Sequence, residues 1–202
     1  MNTTSKNKTA DQRRLETVET LIDLAAEQNP NAISTQALAD RMGLTQGAIF
    51  RHFPTKQAIF SGVMDWVAVQ LMKRIDKAIQ SETEAIKKLK AMFMAHVTFV
   101  SKHPGIPRIL FGELQQSKDS LPKQMVQKVI TQYAAKLRLV MQAGQGNGEL
   151  PEDLDIDAAA LLFIGSIQGL VLQSMLAADP AIIIAQAESV FNVYQRALNP
   201  LN

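Results

Sequence analysis

An all-α fold is predicted for this chain of 202 residues from three observations. Apolar residues recur at helical spacing in one long segment after another. Glycine and proline number only 10 and 8, and long stretches contain neither. No segment reads as a strand, and no internal repeat is visible. With 47% hydrophobic and 20% charged residues, the composition is that of a folded globular protein. The length suffices for one small domain and one larger one.

Residues 1–10 are polar and aperiodic and read as a flexible arm. A first helix is expected over about Asp11–Gln28, with Leu15, Val18, Ile22 and Ala25 on one stripe. Asn29-Pro30-Asn31 stops it, because proline disfavours helix in the residue before it. Ser34 or Thr35 caps a short second helix to about Met42, and Gly43 ends it. Thr45 caps a third helix to about Phe53. Pro54 breaks the chain, and Thr55 caps a long fourth helix to about Gln80. Its stripe is Ile59, Val63, Trp66 or Val67, Leu71 and Ile75.

A fifth helix is expected over about Thr83–Lys102, on Ile86, Leu89, Phe93, Val97 and Val100, with His103-Pro104-Gly105 as terminator. A short helix holds Ile109, Leu110 and Leu114. Pro122 fits the first turn of the next helix, to about Ala143. Gly144–Gly148 is expected to be the most flexible internal segment. Asp155 or Asp157 opens an apolar helix to about Ala178, and Asp179-Pro180 starts a last one reaching about Leu198.

Several kinds of chemistry find no support. With no cysteine, there is no disulfide framework, zinc–cysteine site or cysteine nucleophile, which fits a cytoplasmic location. The first residues carry no apolar run of the signal-peptide type. His52, His96 and His103 are the only histidines, and the last two do not make a closed metal site. The acidic run Glu152–Asp157 lacks the glycine and the distal glutamate of a calcium loop. No P-loop, dinucleotide fingerprint or nucleophile elbow is present. No catalytic residue, metal or cofactor is expected.

Net charge is only +2, but its distribution is uneven. Lys6, Lys8, Arg13 and Arg14 face Asp11 alone in the first segment, and Arg41, Arg51 and Lys56 face Asp40 alone in residues 28–60. A local basic surface is therefore available without a basic protein.

The informative stretch runs from Ser34 to Phe60. Two short helices that cross closely need a small residue at the crossing and a glycine in the turn. Ala39 and Gly43 fill those roles, while Leu38, Met42, Leu44 and Ile49 lock the pair from within. The second helix then presents Thr45, Gln46, Gly47, Ala48, Arg51 and His52 outward. Gln and Arg suit base edges; Thr, Arg, His and the amides at the helix start suit phosphates. Gly47 and Ala48 remove bulk, so the backbone can approach a groove.

The run Leu38-Ala39-x-x-Met42-Gly43-Leu44-Thr45-x-Gly47-Ala48-Ile49-Phe50-Arg51-His52-Phe53-x-x-Lys56-x-x-Ile59 resembles the signature of the tetracycline-repressor (TetR) family. Its place near the N-terminus, behind one amphipathic helix and ahead of a long one, matches too. The resemblance implies an N-terminal three-helix helix-turn-helix DNA-binding domain (residues 11–55) and a C-terminal helical ligand-binding and dimerisation domain (56–202). It implies a homodimer on a palindromic operator of double-stranded DNA, with Thr45–His52 as recognition helix. Lys56 matches the family lysine that holds a phosphate, and Thr35 and Gln36 match positions that often touch the backbone. Position 50 is commonly tyrosine in the family, and Phe50 lacks the hydroxyl that would reach a phosphate. Repression, relieved by a small-molecule effector, is the family expectation, and the methionine-rich composition suggests that this effector is apolar.

Residues 158–178 carry no charge, and Gly165 and Gly169 form a small-xxx-small pair. That suits a membrane span by length, but Ser166, Gln168, Gln173 and Ser174 and the acidic flanks favour a buried helix in a soluble dimer. In the family the last two helices of each subunit build the dimer, so Ile182, Ile183, Ile184, Val190, Phe191, Val193 and Tyr194 are expected as its second element. Candidate effector-lining residues are Met92, Phe93, His96, Phe99, Phe111, Tyr133, Met141, Phe163 and Gln168. Nine methionines and few aromatics suggest an adaptable, greasy pocket.

Overall fold

The computed structural model describes residues 8–115 and 120–198. The described residues form nine α-helices and one 3-10 turn, with no strand. The helices are α1 (Ala10–Glu27), α2 (Thr35–Met42), α3 (Gln46–Phe50), α4 (Lys56–Gln80), α5 (Ala85–Lys102), α6 (Gly105–Leu114), α7 (Leu121–Gly146), α8 (Ile156–Leu176) and α9 (Ala181–Ala197). Of the arm expected over residues 1–10, residues 1–7 lie outside the described residues. Thr9 is the N-cap of α1 and forms a reciprocal capping box with Gln12.

The described residues divide into two compact units. The first is built from those up to 68 and in 103–127, the second from those in 69–102 and from 128 onward. In the first unit α6 packs against α1 at Gly105. A Cβ there would lie 1.9 Å from the carbonyl oxygen of Ile22, so only glycine permits that approach. Gly105 is thus a packing position inside α6, and not merely the terminator of α5. The core of this unit includes Val18, Leu21, Ile22, Leu24, Ala25, Leu38, Ile49, Phe53 and Ile59. Leu15, expected on the inner stripe of α1, is exposed, and Leu21 and Leu24 take the interior instead.

In the second unit α5, α8 and α9 pack on one another. The Lys136 ammonium pairs with Asp76, joining α7 to the second part of α4. The α7 helix overruns its expected end, so Gly144 is helical and not part of a flexible segment. A Cβ on Gly144 would sit 2.6 Å from that of Ala85 and 2.9 Å from Leu150, so this glycine lets the start of α5 come close. The turn falls to Gly148, at φ +73.

The apolar run expected as one helix is α8, capped by the Asp155 side chain on the amide of Ala158. By length and composition it is the one described helix that suits a membrane span. Ala160, Phe163, Ile167 and Val171 are buried, whereas Leu161 and Leu176 are 74% and 73% exposed. The last helix is split in the same way. Ile183, Phe191 and Tyr194, expected at a subunit contact, point into the unit's own core, while Ile184 and Val193 point out. The inward set follows helical spacing through the small Ala187, which is also buried.

Candidate nucleic-acid interface and effector interior

The helix pair is built by caps and one left-handed residue. Ser34 accepts the amide of Ala37 at 3.0 Å and starts α2. Gly43 ends it at φ +64, ψ 36, returning its amide to Ala39 and Asp40. Thr45 then accepts the amide of Ala48 at 3.3 Å and starts α3. Leu38, Ala39 and Ile49 are fully buried at the crossing, and Met42 and Leu44 are half-buried. The regular helix ends at Phe50, and a turn carries Arg51 and His52 to Phe53.

The expected contact residues are placed as follows. Gln46 donates from its amide to the Thr35 hydroxyl, bringing the first residues of α2 and α3 together. Gln36 donates to Asp40 at 2.7 Å along α2. Gly47 is exposed, and a Cβ there would meet nothing within 4 Å, so internal packing does not require glycine. Ala48 is half-buried. Arg51 is exposed and makes no ion pair among the described residues. Arg41, counted with it as a basic residue, is neutralised by a two-pronged pair with Glu27 on α1. Phe50 is 39% exposed, so its ring is offered outward without a hydroxyl.

Lys56 is half-buried at the start of α4. Its ammonium donates to the Asn31 carbonyl at 2.9 Å and lies 5.6 Å from the Phe60 ring centroid. Burial pulls its pKa below the usual lysine value, partly offset by Glu113. The hydrogen bond to Asn31 fixes the direction of the ammonium.

Sequence reading missed Arg14, which it counted only as charge. Its guanidinium donates to the His52 carbonyl at 2.6 Å and stacks on Phe53 at 4.4 Å. Carbonyls at a helix C-terminal end lack internal partners, and Arg14 supplies one from α1. No local spacing signals this contact; only the need of a short helix for an external C-terminal partner points to one.

In the second unit Met92, Phe93, Phe99, Tyr133, Met141 and Phe163 are buried. Phe93 meets Phe163 edge to face at 5.3 Å, and His96 meets Tyr133 edge to face at 5.2 Å. Phe191 and Tyr194, assigned elsewhere from sequence, complete this aromatic group at 5.5 Å from Phe93 and 5.4 Å from Phe163. Two candidates are not brought to it. Gln168 is on the exposed face of α8, and Phe111 belongs to α6 in the first unit. Burial lowers the His96 pKa to about 4 and raises that of Tyr133.

Two short helices locked by a small residue and a left-handed glycine, with polar side chains turned outward, define a helix-turn-helix DNA-binding protein. The family model described as "Bacterial regulatory proteins, tetR family" matches residues 18–63, and that described as "YsiA-like protein, C-terminal region" matches residues 43–197. The chain belongs to the tetR family of bacterial transcription regulators. Among curated proteins it is similar to the nucleoid occlusion factor SlmA of Vibrio cholerae serotype O1, at 26% identity over 160 residues, covering 78% of this chain and 81% of that one. The fold is similar to that of the transcriptional regulator FadR of Bacillus subtilis in complex with stearoyl-CoA, with TM-score 0.79, 20% identity and coverage of 89% and 96%. It is also similar to that of the fatty acid degradation regulator FadR of Bacillus halodurans, with TM-score 0.82, 17% identity and coverage of 94% and 96%.

Proposed function

We propose that this protein is a cytoplasmic repressor that grips a palindromic operator as a homodimer and releases it when a small apolar effector enters its C-terminal region. Residues 11–55 read the DNA, and residues 56–202 bind effector and partner. The observation that carries this reading is the state of α3: it is capped, Gly47 and Phe50 are exposed on it, and Gly47 is free of internal packing. A bare backbone at that point lets the rod sit deep in a major groove. Gln46, Arg51 and His52 are the candidates for base edges, and Arg51 suits a phosphate equally. Thr35, Gln36, Thr45 and Lys56 suit phosphates, with Gly47 and Ala48 giving the backbone access.

Dimerisation through α8 and α9 is supported by their outward apolar faces. Leu161, Leu172 and Leu176 share such a face with Gly165 and Gly169, where a Cβ would meet nothing, so a partner helix can approach closely. Release follows if effector favours a dimer whose two α3 rods no longer match successive major grooves, about 34–36 Å apart. The aromatic interior supports an effector with an apolar body, and the FadR neighbour in complex with stearoyl-CoA holds a molecule with a long apolar chain.

The test is a gel shift on DNA upstream of the protein's own coding sequence, with light scattering on the same sample. The expected result is a dimer whose complex survives unrelated competitor DNA but not unlabelled operator. A stable monomer, or a shift abolished equally by both competitors, overturns the proposal. The SlmA relatives favour a second reading, nucleoid occlusion. Genome-wide binding scattered along the chromosome, with no linked change in transcription, would select it.

A further inference from the structure

Among the described residues, the second unit buries two polar atoms that no other group satisfies. The Tyr133 hydroxyl on α7 and Nδ1 of His96 on α5 are both buried, and neither has a hydrogen-bond partner among those residues. Their rings meet edge to face at 5.2 Å, so the two side chains that carry these atoms are in contact. Buried polar side-chain atoms are nearly always paired, and two exceptions on touching side chains call for a specific explanation. The fold does satisfy a buried tyrosine nearby: the hydroxyl of Tyr194 donates to the Ala159 carbonyl at 3.1 Å.

The surroundings limit what can meet this pair. Phe163 stands 6.2 Å from Tyr133, Phe93 packs on Phe163, and Met92 and Met141 are fully buried in the same unit. Burial alone lowers the His96 pKa; burial, helped by Tyr194, raises that of Tyr133. Both groups are therefore neutral near pH 7. A carboxylate or ammonium brought here would exchange its hydration for two uncharged partners. A hydroxyl or primary amide both donates and accepts, which suits a phenol beside a neutral imidazole.

We propose that His96 and Tyr133 form a polar subsite that receives the uncharged hydroxyl or amide group of an otherwise apolar effector. This rests on the effector-binding reading given under the proposed function. It adds that the effector's buried polar end is neutral.

The test is calorimetric titration of the full chain near neutral pH with octanol, dodecanol and hexadecanol, their matching primary amides, carboxylates and alkyltrimethylammonium salts. Release of labelled upstream DNA is followed in parallel. For at least one chain length, the alcohol or amide is expected to bind about tenfold or more tighter than either charged analogue. Tyr133→Phe, which keeps the ring, and His96→Phe are each expected to lose about tenfold of that affinity, as for one lost hydrogen bond. Wild-type affinity in both variants would mean that the pair is structural, bridged by water, and would overturn the subsite. Preference for a charged head group, with DNA still released, would overturn the subsite and leave the effector reading standing. If no probe binds and none releases DNA, both fall.

Discussion

Around α2 and α3, single atoms decide which residue a position accepts. Ser34 and Thr45 must offer an oxygen to an amide three residues on, and Gly43 must turn left-handed. Around α5, α8 and α9, positions answer mainly to volume and polarity. Phe93, Phe163, Phe191 and Tyr194 touch as rings, and the polar atoms of His96 and Tyr133 are left over. The difference teaches where function is written in this chain. The element proposed to face DNA is fixed by backbone chemistry, so its outward residues are free to serve recognition. The interior is fixed by packing, so its few unmet polar groups stand out.

The largest expected effect asks whether single-atom limits extend beyond the helix pair. Gly105→Ala places a carbon 1.9 Å from the Ile22 carbonyl and 2.9 Å from the Ala26 amide, both backbone atoms that cannot step aside. A loss of at least ~3 kcal/mol is expected in urea unfolding. A loss below about 1 kcal/mol would show that α6 yields easily.

Next comes the interior. The His96 pKa lies near 4 in the folded chain against 6.5 ordinarily, so between these values the unfolded chain binds more protons. Stability is therefore full above pH 6.5 and falls as pH drops toward 4, by a His96 contribution on the order of 3 kcal/mol. Unfolding midpoints across that range should depend less on pH in His96→Phe. An identical pH dependence in both proteins would contradict a neutral His96 imidazole with its Nδ1 buried.

The smallest pair of effects contrasts two glycines of one motif. Gly43→Ala forces φ +64 on a residue with a Cβ and should cost about 1–2 kcal/mol. Gly47→Ala meets nothing and should change stability by less than about 0.5 kcal/mol, while weakening DNA binding. Equal stability losses would erase the distinction between a structural and a recognition glycine.

The same contrast separates what is legible in the amino-acid sequence from what is not. Caps and breakers announce themselves locally, so Ser34, Gly43, Thr45 and Thr55 begin or end helices where their chemistry says they should. The apolar stripe of α4 is legible for the same reason, with Ile59, Val63, Val67, Leu71 and Ile75 buried. Contacts between distant segments leave no such mark. Gly105 and Gly144 look like loop residues until a second helix is seen against them. Arg14 looks like surface charge until its hold on the His52 carbonyl appears. Helix α9 is apolar on several sides, so periodicity alone does not say that Phe191 and Tyr194 turn inward while Val193 turns out. Gln168 has the right chemistry for a pocket but faces outward on α8.

The central claim is that the α3 rod, with the cation beside it, meets the phosphates and bases of duplex DNA. The most direct measurement is operator affinity against salt concentration, for the wild type and for Arg51→Ala, each with its fold verified by circular dichroism. Arg51 is exposed and makes no ion pair among the described residues, so its removal should cost the fold little. The expected result is weaker binding, with the slope of log affinity against log salt reduced by about 1, as when one phosphate contact is lost. An unchanged affinity and an unchanged slope in a folded variant would contradict the claim.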